Sequence, residues 1–266
     1  MGRLEDKVAV VFGAAGTGNM GQIIARRFAT EGAKVMVAGR HEEAMKGLTG
    51  EIGKSSSYSI CDITSKAQVD ATADAALKKY GRVDIGLNAT GWGLMKSLED
   101  TSEDDLHKMI AIQFKGPYFF LQAMLRAMAK GGSIIQISSA TATIMLEDHS
   151  AYMGTKAGID HIVRTVANEY GRRGIRANSI SPGLTQTPMA GKTFDYPAIV
   201  AAFEHEYPLG RIGTREDIAA AAVWLASDEC FMSGENLQVN GGLTLRRNPM
   251  LSELSDAAAV TAHLRT

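Results

Sequence analysis

Short apolar runs alternate with longer stretches of helical spacing from one end of the chain to the other. The runs predict strands at residues 7–12, 34–38, 57–60, 84–88, 133–138, 176–181 and 236–239. Between them, apolar positions recur at helical intervals near 20–31, 41–52, 65–80, 102–130, 150–171 and 215–227. Alternation this regular argues for β-α-β crossovers and a parallel sheet covered on both faces. No linker, low-complexity segment or charge block interrupts the 266 residues, so one domain spanning 1–266 is expected.

Composition narrows the function by exclusion. The chain is 45% hydrophobic and 21% charged with a net charge of −1, so no bulk field favours nucleic acid or an anionic membrane. Basic residues cluster no further than isolated pairs, among them Arg172–Arg173 and Arg246–Arg247. Cys61 and Cys230 are far apart, and the six histidines lack metal-ligand spacing, so neither a disulfide nor a metal site is expected. No apolar run approaches the ~18 residues of a membrane span. The N-terminus is a charged lead into a strand rather than a signal peptide, which makes a cytoplasmic protein the expectation.

Two stretches carry candidate chemistry. The first predicted strand runs into glycines 13, 16, 18 and 21 before an amphipathic helix, and a second strand follows. Such a turn lets backbone N–H groups approach a pyrophosphate at a helix N-terminus. The second strand ends at Ala38-Gly39-Arg40. An acid there binds a ribose 2′-OH, whereas an arginine suits a 2′-phosphate, which favours NADP(H) over NAD(H). The bland reading of Arg40 is a solvated residue opening the next helix.

The second stretch runs from Gly131 to Lys156. Ser138 and Ser139 close a predicted strand, Tyr152 follows, and Lys156 comes four positions later with no proline between. Residues four apart share a helix face, so a hydroxyl at a strand end faces a phenol–ammonium pair. Asp62-Ile63 and Asn88-Ala89-Thr90-Gly91 stand at the ends of two other strands, although Asp62 also reads as the N-cap of the helix near Ser65.

These motifs, in this order, resemble the short-chain dehydrogenase/reductase family over residues 4–245. The resemblance implies a Rossmann-like, doubly wound α/β fold with a seven-stranded parallel sheet in the order 3-2-1-4-5-6-7. It implies a homo-oligomer, a tetramer or a dimer. It also implies catalytic roles for Ser139, Tyr152 and Lys156, with Gln113 where the family usually has an asparagine that holds a relay water. The cofactor set is Gly13, Gly18, Asn19, Met20, Gly21, Arg40, Asp62, Ile63, Asn88, Tyr152, Lys156, Pro182, Gly183, Thr185 and Thr187. The glycine turn is about two residues longer than the family's, which leaves open whether Gly18 or Asn19 stands at its second glycine. Nearby cations are expected to lower the pKa of Tyr152.

Trp92, Met145, His149, Met189 and Phe194 are expected to line a mostly apolar pocket for a small hydrophobic ketone or secondary alcohol, cyclic or aromatic. Phe203 and Ile199 read better as core. His149 either orients a substrate oxygen or is a surface histidine. One alternative is a 3-oxoacyl-thioester reductase, with Lys130, Arg172 and Arg173 as a patch for an acidic carrier protein. Another is a cofactor-binding protein with little turnover. An enoyl reductase fits less well, because such relatives space tyrosine and lysine more widely. The tail, 246–266, lies beyond the family's core and has helical character from Ser252 to Leu264.

Overall fold

Strand β1 (Val8–Phe12) is buried at every position and lies between β2 (Lys34–Gly39) and β4 (Ile85–Asn88), pairing in parallel with both. Outward from these lie β3 (Ser56–Ile60) on one side and β5 (Gly132–Ile137), β6 (Ile175–Pro182) and β7 (Asn236–Val239) on the other. The sheet order is therefore 3-2-1-4-5-6-7, all parallel. This computed structural model describes residues 2–254.

The period-two geometry of a strand sends neighbouring side chains to opposite faces, and each face has its own helical layer. Ala9 and Val11 pack with Ile24, Ala25 and Phe28 of α1 (Met20–Thr30) and with Ile218 and Ala222 of α8 (Arg215–Ala226), in the layer that also takes Met45 and Leu48 of α2 (Glu42–Ile52). Val10 and Phe12 pack instead with α3 (Lys66–Tyr80), α5 (Gly116–Ala127) and α6 (Ser150–Tyr170). There Phe12 meets Phe120 edge-on at 5.3 Å. A strand apolar at every position is thus what a doubly covered sheet requires.

The predicted helix over 102–130 is in fact broken. α4 (Glu103–Ile110) passes through a wide π-turn at Ala111–Lys115 before α5 begins. Pro117 has no N–H to give the carbonyl of Gln113, and the amide of Gly116 reaches back to Ala111 instead. The ladder widens there, at the buried Gln113. A second difference is α7 (Pro197–Glu206), a helix in a stretch where the apolar spacing predicted neither helix nor strand. Phe203 packs into a small core with Tyr207 and Leu243, and Ile199 lies against it, as expected.

The described part of the tail is pinned to α7 and to the segment before α6. Arg247 pairs with Glu206 at 3.3 Å and with Glu253 at 2.7 Å. Asn248 donates to the carbonyl of Met145, and the Leu251 amide donates to Glu147. Most of the predicted helix at 252–264 lies outside the described residues.

Candidate active site

All seven strands run the same way, so the turns after β1, β2, β3, β4, β5 and β6 gather at one edge of the sheet. The turn after β1 is closed by its own side chains. Gly13 has φ +88°, and a Cβ there would lie 2.6 Å from the backbone of Ala89, so the ends of β1 and β4 meet through bare backbone. Gly18 takes the left-handed position at φ +67°, while Asn19 is the extended N-cap of α1. Asn19 accepts from the Gln22 amide at 2.9 Å and donates to the Gly13 carbonyl at 2.7 Å, and the Gly18 amide donates to Gln22 at 3.0 Å. The side chain of Asn19 and the amide of Gly18 therefore build the loop. Met20 and Gly21 open the helix, at the positive end of its dipole.

A residue that the sequence reading passed over completes this turn. Arg215, the first residue of α8, donates through Nη1 to the Gly18 carbonyl, and its Nε is buried without a partner among the described residues. The guanidinium comes from 197 positions away, so no local spacing announces it.

Arg40 is exposed just beyond β2. Asp62 lies beyond β3, and its carboxyl is held below the ordinary range chiefly by the Thr64 amide, then by the Thr64 hydroxyl and the charge of Arg40, against the opposing effect of burial. Ser65, not Asp62, caps α3. Two of the assigned residues are buried. Ile63 is buried in the core against Gly116, and Asn88 is fully buried. Asn88 donates to Gln136 at 3.0 Å and accepts from the amide and hydroxyl of Thr90, so its side chain shapes the turn after β4.

Beyond β5 the two serines diverge. Ser138 donates to Asp160 at 2.6 Å. Ser139 caps the short turn Ala140–Ala142 and shares a 2.8 Å hydrogen bond with the Thr141 hydroxyl. Lys156 is buried at 3% exposure, with Nζ 5.5 Å from the centre of the Tyr152 ring and donating to the Ile137 carbonyl at 2.8 Å. Burial pushes Tyr152 up to about 12, against the opposing effect of the Ser139 hydroxyl. Within the chain alone, desolvation of the phenolate and the charge of Asp160 raise it, whereas the expected lowering also counts the positive charge of the oxidised nicotinamide. Burial likewise drives Lys156 down to about 8.

Gln113 donates to the Trp92 carbonyl at 3.1 Å, while its Oε1 is buried and meets no donor among the described residues. Gly91 and the tip of Met189 lie close to it. After β6, Pro182 and Gly183 lead to Thr185, which bridges to Gly213 and donates to the Gly183 carbonyl at 3.0 Å. Thr187 precedes a 3-10 helix without spending its hydroxyl as a cap.

The candidate pocket residues do not all meet. Met145 and His149 line a cavity of about 420 Å³ whose wall is apolar at Leu98, Leu146, Met153 and Leu251 and polar at Glu147, Asp148 and Ser150. Met189 lies by Gly91 and Gln113 instead, Trp92 has its ring under Lys108 at 4.0 Å, and Phe194 is half-buried in the 188–195 segment. His149 stacks on Tyr152 at 4.3 Å, bonds the Leu94 carbonyl through Nδ1, and is kept neutral by burial. The basic group Lys130, Arg172 and Arg173 lies at the opposite edge, in the turns that precede β5 and β6. There Arg173 is tied to the Leu125 and Met128 carbonyls.

A bare-backbone turn at the head of β1, a helix N-terminus beside it and a Ser–Tyr–Lys group on the same edge define a nucleotide-dependent oxidoreductase fold. The chain belongs to the short-chain dehydrogenase/reductase family. Residues 13–244 match a family model described as enoyl-(acyl carrier protein) reductase. The chain is 36% identical to D-threitol dehydrogenase of Mycolicibacterium smegmatis, covering 92% of this chain and 95% of that one. It is 34% identical to 3beta-hydroxysteroid dehydrogenase 1 of Eggerthella lenta, covering 91% and 95%. A short-chain type dehydrogenase/reductase from Mycobacterium ulcerans superimposes with a TM-score of 0.90 at 27% identity, over 96% of this chain and 98% of that one. The protein is accordingly an NAD(P)-dependent enzyme of this family. Among the described residues, no helix is long and apolar enough to cross a membrane, and no group of metal-binding side chains occurs.

Proposed function

We propose that this enzyme interconverts a hydrophobic ketone, cyclic or aromatic, and its secondary alcohol with NADP(H). The observation that carries the reading is that Ser139, Tyr152 and Lys156 stand on the same sheet edge as the bare backbone at Gly13. When bound, the nicotinamide supplies or takes up the hydride. Tyr152 gives its phenolic proton to the substrate oxygen during reduction and takes it back during oxidation. Ser139 donates a hydrogen bond where charge accumulates on that oxygen. Lys156 keeps an ammonium beneath the phenol and, as the family resemblance implies, holds the nicotinamide ribose hydroxyls. Gln113 offers its unpaired oxygen to a relay water.

The cofactor's pyrophosphate is assigned to the turn from Gly13 to Gly21, its adenine to the edge at Asp62, and its carboxamide to Pro182, Gly183, Thr185 and Thr187. Arg40, exposed beyond β2, is assigned to the 2′-phosphate.

Apolar side chains at the mouth support the substrate class: Met189 by Gly91, and Met145 with Met153 in the adjoining cavity. Relatives named for hydroxysteroids and for borneol fit it better than the relative named for threitol. The thioester alternative gains nothing, since the basic group lies at the opposite edge from the site. The four-residue Tyr–Lys spacing favours carbonyl over enoyl reduction, whatever the family model's description. We further assign the chain to the cytoplasm as a homotetramer or dimer, a reading helped by the near-complete exposure of Phe231 and Leu245.

A spectrophotometric screen of NADPH and NADH against a ketone panel tests the proposal. Cyclic and aromatic ketones should consume NADPH fastest. Turnover confined to small charged carbonyls, or absent throughout, overturns it.

A further inference from the structure

One turn beyond Lys156, α6 carries a carboxylate that the proposed chemistry does not use. Asp160 is half-buried, and its described partners all donate to it. Ser138 Oγ and Asn236 Nδ2 each reach Oδ2 at 2.6 Å, and Ser179 Oγ reaches Oδ1 at 2.7 Å. Three donors around one carboxyl suit the ionised form, which accepts only. They come from three places on the sheet: just past β5, within β6, and the start of β7. A helix face packed on a sheet is ordinarily apolar, and a charge placed there is costly unless it answers another.

The other charge is close at hand. Lys156 is more deeply buried than Asp160, and its ammonium is spent on a neutral carbonyl, that of Ile137. Ser138, which holds Asp160, is the immediate neighbour of Ser139 in the chain. We propose that Asp160 is a positioning residue whose negative charge sets the protonation of the Tyr152–Lys156 pair and whose bond to Ser138 ties the strand end bearing Ser139 to the helix bearing Tyr152. The inference rests on the carbonyl–alcohol reading above.

The electrostatics run the same way as the geometry. Burial lowers Lys156, and the charge of Asp160 opposes it. That charge also adds to burial in raising Tyr152. Burial raises Asp160 itself, against the hydrogen bonds of Ser138 and Ser179, the charge of Lys156 and the Asn236 amide. Among the described residues, the side chains that hydrogen-bond within this group from the packed elements are uncharged. β5, β6 and β7 present Ser138, Ser179 and Asn236, while the 140–142 turn and the π-turn present Ser139, Thr141 and Gln113. His149 is kept neutral by burial. The nearby cations are turned to other partners: Lys108 to Trp92, Lys115 to Phe119, Arg126 to Asp70 and Arg173 to Tyr170.

Asp160→Asn tests the proposal, since its oxygen keeps Ser138 and Asn236 while its amide meets the Ser179 hydroxyl. Removing the charge lowers both pKa values. Oxidation needs Tyr152 deprotonated and Lys156 protonated, so both limbs of its pH profile should move to lower pH, by about half a unit or more. A purely structural role lowers the maximum and leaves the limbs where they are. Ultraviolet difference titration of tyrosinate, with Tyr152→Phe as the blank, reads the same shift without turnover. That separates failure of this inference from failure of the carbonyl–alcohol reading. Asp160→Leu serves as a second neutral variant should the first not fold. Ser138→Ala, which keeps the charge and cuts the tether, should lower kcat with the limbs in place. Unmoved limbs and an unmoved tyrosinate titration in the neutral variants overturn the proposal.

Discussion

Gln113 holds the carbonyl of Trp92 with its amide nitrogen at 3.1 Å and leaves its buried oxygen without a donor. A buried acceptor left unpaired costs roughly 1–3 kcal/mol, and the π-turn that carries this side chain is itself a departure from an ordinary helix. Both are intelligible if the oxygen serves a relay water. Gln113→Ala should lower kcat about tenfold, with cofactor Kd little changed, and Gln113→Asn should retain most activity. Equal kcat in all three proteins removes Gln113 from the site.

Lys156 governs the alkaline side of the reduction. Its folded-state pKa is depressed to about 8, so its charge is present below that value and lost as pH rises through it. Tyr152 still carries its proton there, having been raised to about 12. Carbonyl reduction should therefore decline as pH rises through about 8. A profile flat to the ordinary lysine range would mean that the ammonium is not required.

Arg40 should decide between the two nicotinamide cofactors. Charge-assisted hydrogen bonds contribute about 1.5–3 kcal/mol each. Arg40→Asp should thus weaken NADPH binding by roughly ten- to a hundredfold and leave NADH nearly unaffected. An unchanged preference, measured by fluorescence titration, refutes the assignment.

Arg215 braces the long glycine turn through the Gly18 carbonyl. Arg215→Gln should loosen that turn and weaken NADP(H) and NAD(H) alike, by about tenfold, as read by calorimetric titration. A loss confined to NADP(H) would instead place Arg215 at the 2′-phosphate.

The strands were legible because a sheet covered on both faces writes itself as short apolar runs, of which Val8–Phe12 is the clearest. The Ser139–Tyr152–Lys156 group was legible because one strand end and one helix face carry it, within a single local stretch. What local spacing hides is long-range. Arg215 reaches Gly18 across 197 positions and Asp160 reaches Asn236 across 76, and neither pairing has a period. Burial is hidden too: Ile63 and Asn88 stand at strand ends, and the fold buries both, with the Asn88 side chain bonded into the turn after β4. The π-turn did leave a sign, since Pro117 within a continuous helical pattern deprives Gln113 of its partner.

The central claim is that Tyr152 is the proton donor of a hydride transfer to a carbonyl carbon. The most direct measurement follows deuterium from C4-labelled NADPH into the product by mass spectrometry, in wild type and in Tyr152→Phe. The account predicts one deuterium at the carbinol carbon, and a rate that falls about 10²- to 10⁴-fold in the variant while NADPH binding persists. Label absent from the alcohol, or a variant as fast as wild type, contradicts it.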